Sequence, residues 1–151
     1  MAQRKSIIEA ALSMEGDESY SLTSKKGSFG SGKWKCNLFV YDVLLNSGVS
    51  APTTEGGWPI VANSWGNSKA RILGWDVVSV PMPGDIAAIP RSEGSGHVGI
   101  YIDNNWGSDV MAANETGVGW SPSHHRNEWF NWAANASGNT VYRRWVGATK
   151  K

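Results

Sequence analysis

The sequence predicts an α+β fold, with helices ahead of an antiparallel sheet. Apolar residues up to residue 47 recur at helical spacing, whereas from Trp75 onward they alternate. The 18 glycines are scattered rather than periodic, so they mark many turns and no internal repeat. A length of 151 residues suits a single domain, 1–151, with one core able to bury most of its apolar surface.

Residues 5–14, "KSIIEAALSM", set Ile7, Ile8, Ala11 and Leu12 on one face of a short amphipathic helix, which Gly16 closes. Residues 15–34 are polar and rich in Gly, Ser and Lys, the composition of a loop. In 36–47, "CNLFVYDVLLNS", the apolar positions Cys36, Phe39, Val40, Val43 and Leu44 fall at i, i+3, i+4, i+7 and i+8. That spacing makes a helix with a broad apolar face. Gly48 follows, where a helix-terminating glycine belongs. Residues 49–74, with Pro52, "EGGWP" and "NSWGNS", read as a long excursion holding one short helix after Pro59. Strands come next. "WDVVSV" and "GDIAAI" flank the turn "PMPG". "HVGIYID" puts Val98, Ile100 and Ile102 on one face and His97, Gly99 and Tyr101 on the other. "DVMAANE" is a further short strand, and "TVYRRWV" reads as an edge strand closing an antiparallel meander.

Lys plus Arg number 14 against 13 for Asp plus Glu, and no basic patch stands out, which argues against nucleic acid as the partner. A lone cysteine forms no internal disulfide, so the fold stands on its core. The opening "MAQRKSIIEAALSMEG" lacks the long apolar stretch and cleavage site of a secretory signal, and no run approaches a membrane span. The expectation is a protein made in the cytoplasm and carried out by another route.

The stretch "GSFGSGK", Gly27 to Lys33, matches a phosphate-binding loop except that Trp34 stands where Ser or Thr should hold the metal. The preceding "SYSLTSKK" makes a poor central strand, so the nucleotide reading fails on context. Cys36 offers a better use of the same physics. A helix N-terminus favours an anion, a thiolate as well as a phosphate, and Lys33 and Lys35 add positive charge nearby. A catalytic cysteine needs a base, and the base an orienter. His97 opens the clearest strand. Asn114 on "VMAANE" has an amide oxygen able to fix the imidazole tautomer, with Glu115 as its competitor on the opposite face of the strand. His124 and His125 lie in the polar stretch "SPSHHRNEW" and read as surface residues. No Cys or His pair has the close spacing of a zinc motif, so no metal is expected. Most of the 9 tryptophans read as core, but Trp58 and Trp65, in a polar, glycine-flanked segment, suit the wall of a substrate cleft.

Together, "KCNLFVYDVLLNSGV", "PMPGDIAAI", "GHVGIYID" and "MAANETGVGW" resemble the NlpC-like and CHAP group of papain-like cell-wall amidases. Members set the nucleophile at a Cys-(Asn/Ser)-x-Phe/Leu-Val helix start, followed by a "PGD" strand and a "GHVGI" strand carrying the catalytic His. Cys36, Asn37 and Val40 match the first motif, Pro83, Gly84 and Asp85 the second, and Gly96 to Ile100 the third. The resemblance implies a papain-like fold, with the nucleophile at a helix N-terminus packed on an antiparallel sheet. It implies a cofactor-free cysteine amidase or endopeptidase using Cys36, His97 and Asn114 on the stem peptide of peptidoglycan. Where many members have a second His or a Glu, this chain has Asn114 beside Glu115. A tyrosine ahead of the cysteine lines the cleft in many members, and Tyr20 is the candidate here. Asp85 reads as a turn residue.

The "KCN" version is most similar to antibacterial amidase effectors of the type VI secretion kind, which would act in the periplasm or cell wall and meet a cognate immunity protein. Phage lysins of the group are similar too. A non-catalytic wall-binding module built on the tryptophans is the alternative from another class. The bond stays open among the D-glutamyl–diaminopimelate amide, the diaminopimelate–D-alanine cross-link and the sugar–alanine amide.

Overall fold

The computed structural model describes residues 2–90, 96–102, 109–121 and 140–147. Helix α1 spans Ala2–Ser13, a single 3-10 turn Glu18–Tyr20, helix α2 Cys36–Ser47 and the short α3 Ala62–Trp65. Six strands follow: β1 Trp75–Val78, β2 Ile86–Ile89, β3 His97–Tyr101, β4 Val110–Ala113, β5 Val118–Ser121 and β6 Val141–Trp145. They form one antiparallel sheet in the order β1-β6-β2-β3-β4-β5. The α+β expectation holds.

Helix α2 has the predicted bounds. Cys36, Phe39, Val40, Val43 and Leu44 are its buried residues, and Gly48 ends it at φ 76°, a left-handed position that glycine occupies without strain. That buried face packs with Ile86, Ala88, Val98, Ile100, Met111 and Ala113, all on one side of the sheet. Ile7 and Ala11 of α1 and Ala62 and Trp65 of α3 join the same core. The other side of the sheet carries a smaller cluster of Ala87, Ile89, Val110 and Ala112, flanked by Tyr101 and Tyr142.

Three expectations change. In α1 the buried face is centred on Ile7 and Ala11, and Leu12 is exposed. "TVYRRWV" is not an edge: β6 lies between β1 and β2, so the strands on either side of "PMPG" are not neighbours and only β2 to β5 meander. The two arginines suggest an edge in sequence, yet each is satisfied in place. Arg143 is 1% exposed and donates to the carbonyls of Trp65, Asn67 and Ala70. Arg144 pairs with Asp85 at 2.8 Å. The third change is β5, a strand over "VGWS" that its glycine obscured.

Candidate active site

Cys36 opens α2, and the residue before it anchors the approach. Lys35 is 1% exposed, and its ammonium donates to the carbonyls of Ser21 (2.8 Å), Lys33 (2.8 Å) and Gly30 (3.3 Å). An ammonium has three donors, so this cage satisfies all of them and binds the glycine-rich loop to the start of the helix. The charge of Lys35 therefore serves the loop carbonyls, and Lys33 is exposed.

The sulfur is held as a thiol. Cys36 is 3% exposed, and burial pushes its pKa up from 9.0 to about 11. The backbone N–H groups of Val98, Asn37 and Cys36 itself are directed at the sulfur and pull the other way. Desolvation wins over the helix end, which corrects the expectation of a thiolate stabilised in the free protein.

The Val98 N–H belongs to the His97–Val98 peptide, so the sulfur sits against the start of β3. His97 is fully buried, and loss of solvent holds its pKa well below the usual value, leaving the imidazole neutral. Gly96, just before it, passes between strand β2 and α3. A Cβ there would stand 2.1 Å from the Ile89 carbonyl oxygen and 2.6 Å from the Asn63 side-chain oxygen, so only glycine fits.

The β3–β4 register pairs Ile100 with Met111. Continued toward the start of β3, it sets Gly99 level with Ala112 and His97 level with Asn114. The close approach is visible at Gly99, where a Cβ would lie 2.9 Å from the Ala112 Cβ. Asn114 opens the β4–β5 turn, its N–H bonded to the Gly117 carbonyl. Its side-chain oxygen is buried with no hydrogen-bond partner among the described residues, an acceptor without a donor. Glu115 is exposed, and its carbonyl takes the Leu22 N–H.

The residues expected to touch substrate are dispersed. Tyr20 is buried, its ring edge-on to Phe39 and its hydroxyl donating to Asp42 at 2.5 Å, so it braces α2 and does not line an open cleft. Trp65 is 2% exposed, packed edge-on against Trp75 at 5.3 Å, a core residue and no cleft wall. Trp58 is 50% exposed and stands beside Phe29. His124 and His125 lie outside the described residues. Among the described residues, no cluster of His, Cys, Asp or Glu could hold a metal ion. The Lys35 cage and the Val98 N–H had no signal in residue type, since both depend on backbone atoms brought from elsewhere. Phe29 did have one, as an aromatic side chain set among glycines.

The CHAP domain model matches residues 27–114, more than half of the chain and the span that carries Cys36, His97 and Asn114. The chain belongs to the CHAP family. It is thus a cysteine amidase of the peptidoglycan-hydrolysing kind. No curated protein matches it in sequence. A solved structure, the type VI native effector–immunity complex Tae3–Tai3 from Ralstonia pickettii, is similar, with a TM-score of 0.48. The identity is 17%, covering 94% of this chain and 98% of that one. No helix among the described residues is long and apolar enough to cross a membrane.

Proposed function

We propose that this CHAP protein cuts an amide of the peptidoglycan stem peptide with Cys36 as nucleophile, His97 as base and Asn114 as the residue that orients the imidazole. The observation that carries the reading is the contact between the Cys36 sulfur and the N–H of the His97–Val98 peptide, with the vacant Asn114 oxygen level with His97. The neutral imidazole takes the thiol proton as the sulfur attacks the amide carbonyl carbon. The N–H groups around the sulfur stabilise the charge as it develops, and the backbone N–H of Cys36 serves the oxyanion in the tetrahedral intermediate. The C–N bond then breaks, the amine leaves with the proton from His97, and water hydrolyses the thioester to return the thiol.

The "KCN" helix start further supports an antibacterial effector that reaches the wall through a secretion machine and is neutralised in its producer by a cognate immunity protein. Digestion of purified peptidoglycan with wild type and Cys36→Ala, followed by mass spectrometry of the new termini, tests the chemistry. A new amine and carboxyl pair should form with wild type alone, and products that persist with Cys36→Ala would remove the assignment. Lysis on periplasmic but not cytoplasmic expression tests the site of action.

A further inference from the structure

The near-match to a phosphate loop has a use that catalysis does not absorb. Lys26 and Phe29 exchange backbone hydrogen bonds at 2.8 and 2.9 Å, closing a tight turn around Gly27 at φ 58° that projects the Phe29 ring. Facing it, a second turn is closed by Thr54 N–H to the Trp58 carbonyl (2.7 Å) and Trp58 N–H to the Thr54 hydroxyl (3.3 Å). The two turns hold Phe29 and Trp58 edge to face, centroids 6.1 Å apart at 68°. Between them lies a cavity of about 400 Å³, floored by Leu38 and Tyr41 of α2, with Asp42 and Lys26 on its wall. That volume falls within the range of small-ligand sites, about 300–1,000 Å³. One Asp42 oxygen accepts from Tyr20, which leaves the other for a ligand, and the Lys26 ammonium, bonded to Ser19 and set over the Tyr20 ring at 4.6 Å, keeps a further donor.

Resting on the amidase reading above, we infer that this cavity is a saccharide subsite for an N-acetylated amino sugar of the glycan strand. A pyranose presents one face of C–H groups and a rim of hydroxyl and acetamido groups. The exposed Trp58 ring suits the first, and the Asp42 carboxylate and Lys26 ammonium, an acceptor and a donor lining the same cavity, suit the second. Position supports the same occupant. Leu38 and Tyr41 follow Cys36 by less than two turns of the same helix, about 3–8 Å along its axis, but on the flank turned away from the thiol. Passing around that flank adds roughly the helix diameter, about 10 Å. An extended peptide of four or five residues spans that gap, at about 3.3–3.6 Å each. A sugar held here therefore brings an amide inside the stem peptide to Cys36, and not the sugar–alanine amide.

The test has two arms. Full-length Cys36→Ala is titrated calorimetrically with a soluble β-1,4-linked N-acetylglucosamine tetramer, alone and with Trp58→Ala or Trp58→Phe added. Saturable binding, weakened about tenfold by Trp58→Ala and largely restored by Trp58→Phe, is expected, since tenfold corresponds to about 1.4 kcal/mol of lost stacking. In the second arm, Trp58→Ala with Cys36 intact should raise KM about tenfold on glycan-bearing muropeptides and by a much smaller factor on sugar-free stem peptides. Absence of tetramer binding by Cys36→Ala, or equal losses on both substrates, overturns the subsite. So does a Trp58→Ala effect confined to binding of a protein partner. Because the first arm needs no turnover, failure of the amidase reading alone would appear as tetramer binding without hydrolysis of either substrate.

Discussion

Burial at Cys36 and His97 leaves the thiol protonated and the imidazole neutral in the free protein. Both groups lose solvent, and each therefore prefers its uncharged form: the thiol rises to about 11 and the imidazole falls well below its usual value. In the proposed mechanism proton transfer therefore accompanies attack and does not precede it. Alkylation of the free protein by iodoacetamide should accelerate with pH through a midpoint near the value of about 11, since only thiolate reacts. A midpoint below neutrality would show that a thiolate–imidazolium pair is preformed. Activity has the opposite sign at its acid limb. His97, as the proposed base, must be neutral, and its depressed pKa keeps it so, hence kcat/KM should hold down through pH 6.5 and fall only below it.

Among the elements, α2 joins the sulfur to the loop ahead of it, and Lys35 is the joint. The side chain of this residue, at the helix boundary, makes no cap to the helix; it reaches back to carbonyls at Ser21, Gly30 and Lys33. Lys35→Met keeps the apolar stem but leaves the buried Ser21 carbonyl without its donor, a loss of about 1–3 kcal/mol. Amide exchange over residues 21–33 should speed up in that variant before any change in β2 to β4. Uniform exchange across the chain would show that the cage belongs to the global core. Arg143 does the equivalent for residues 65–70 from inside the sheet, which is why a strand bearing consecutive arginines occupies an interior place.

At the scale of the whole molecule, Asp85 ties distant parts of the chain together. It is fully buried, accepts from Arg4 of α1 at 3.2 Å and from Arg144 of β6 at 2.8 and 3.0 Å, and takes the Met82 N–H at 2.7 Å. Its place in the "PGD" motif is thus structural, as the turn reading expects. Asp85→Ala should lower stability by about 3 kcal/mol, the low end for breaking a buried pair because both arginines are partly exposed and can turn to water. Thermal unfolding measures this, and Cys36 alkylation in the folded variant should be unchanged. A faster alkylation without loss of Tm would assign Asp85 to the site instead.

Local pattern was enough for α2, its glycine stop, the alternating β3 and the order of motifs, because helical spacing, strand alternation and glycine geometry are all properties of neighbouring residues. The pairing of Cys36 with the start of β3 was legible as a motif order, and strand parity set Asn114 and Glu115 on opposite faces so that only one of them could reach His97. What the sequence could not determine depended on groups far apart in the chain. Interior placement of β6 rests on carbonyls from residues 65–70 and on Asp85. The protonation of Cys36 rests on how much solvent the fold removes, and a helix end near a cysteine does not state that quantity. Trp58 and Trp65 sit in similar surroundings in sequence, yet Trp65 is buried against Trp75 and Trp58 packs edge-on to Phe29 beside a cavity. Neighbouring residues set which groups are available; only packing decides which of them meet, and in how much water.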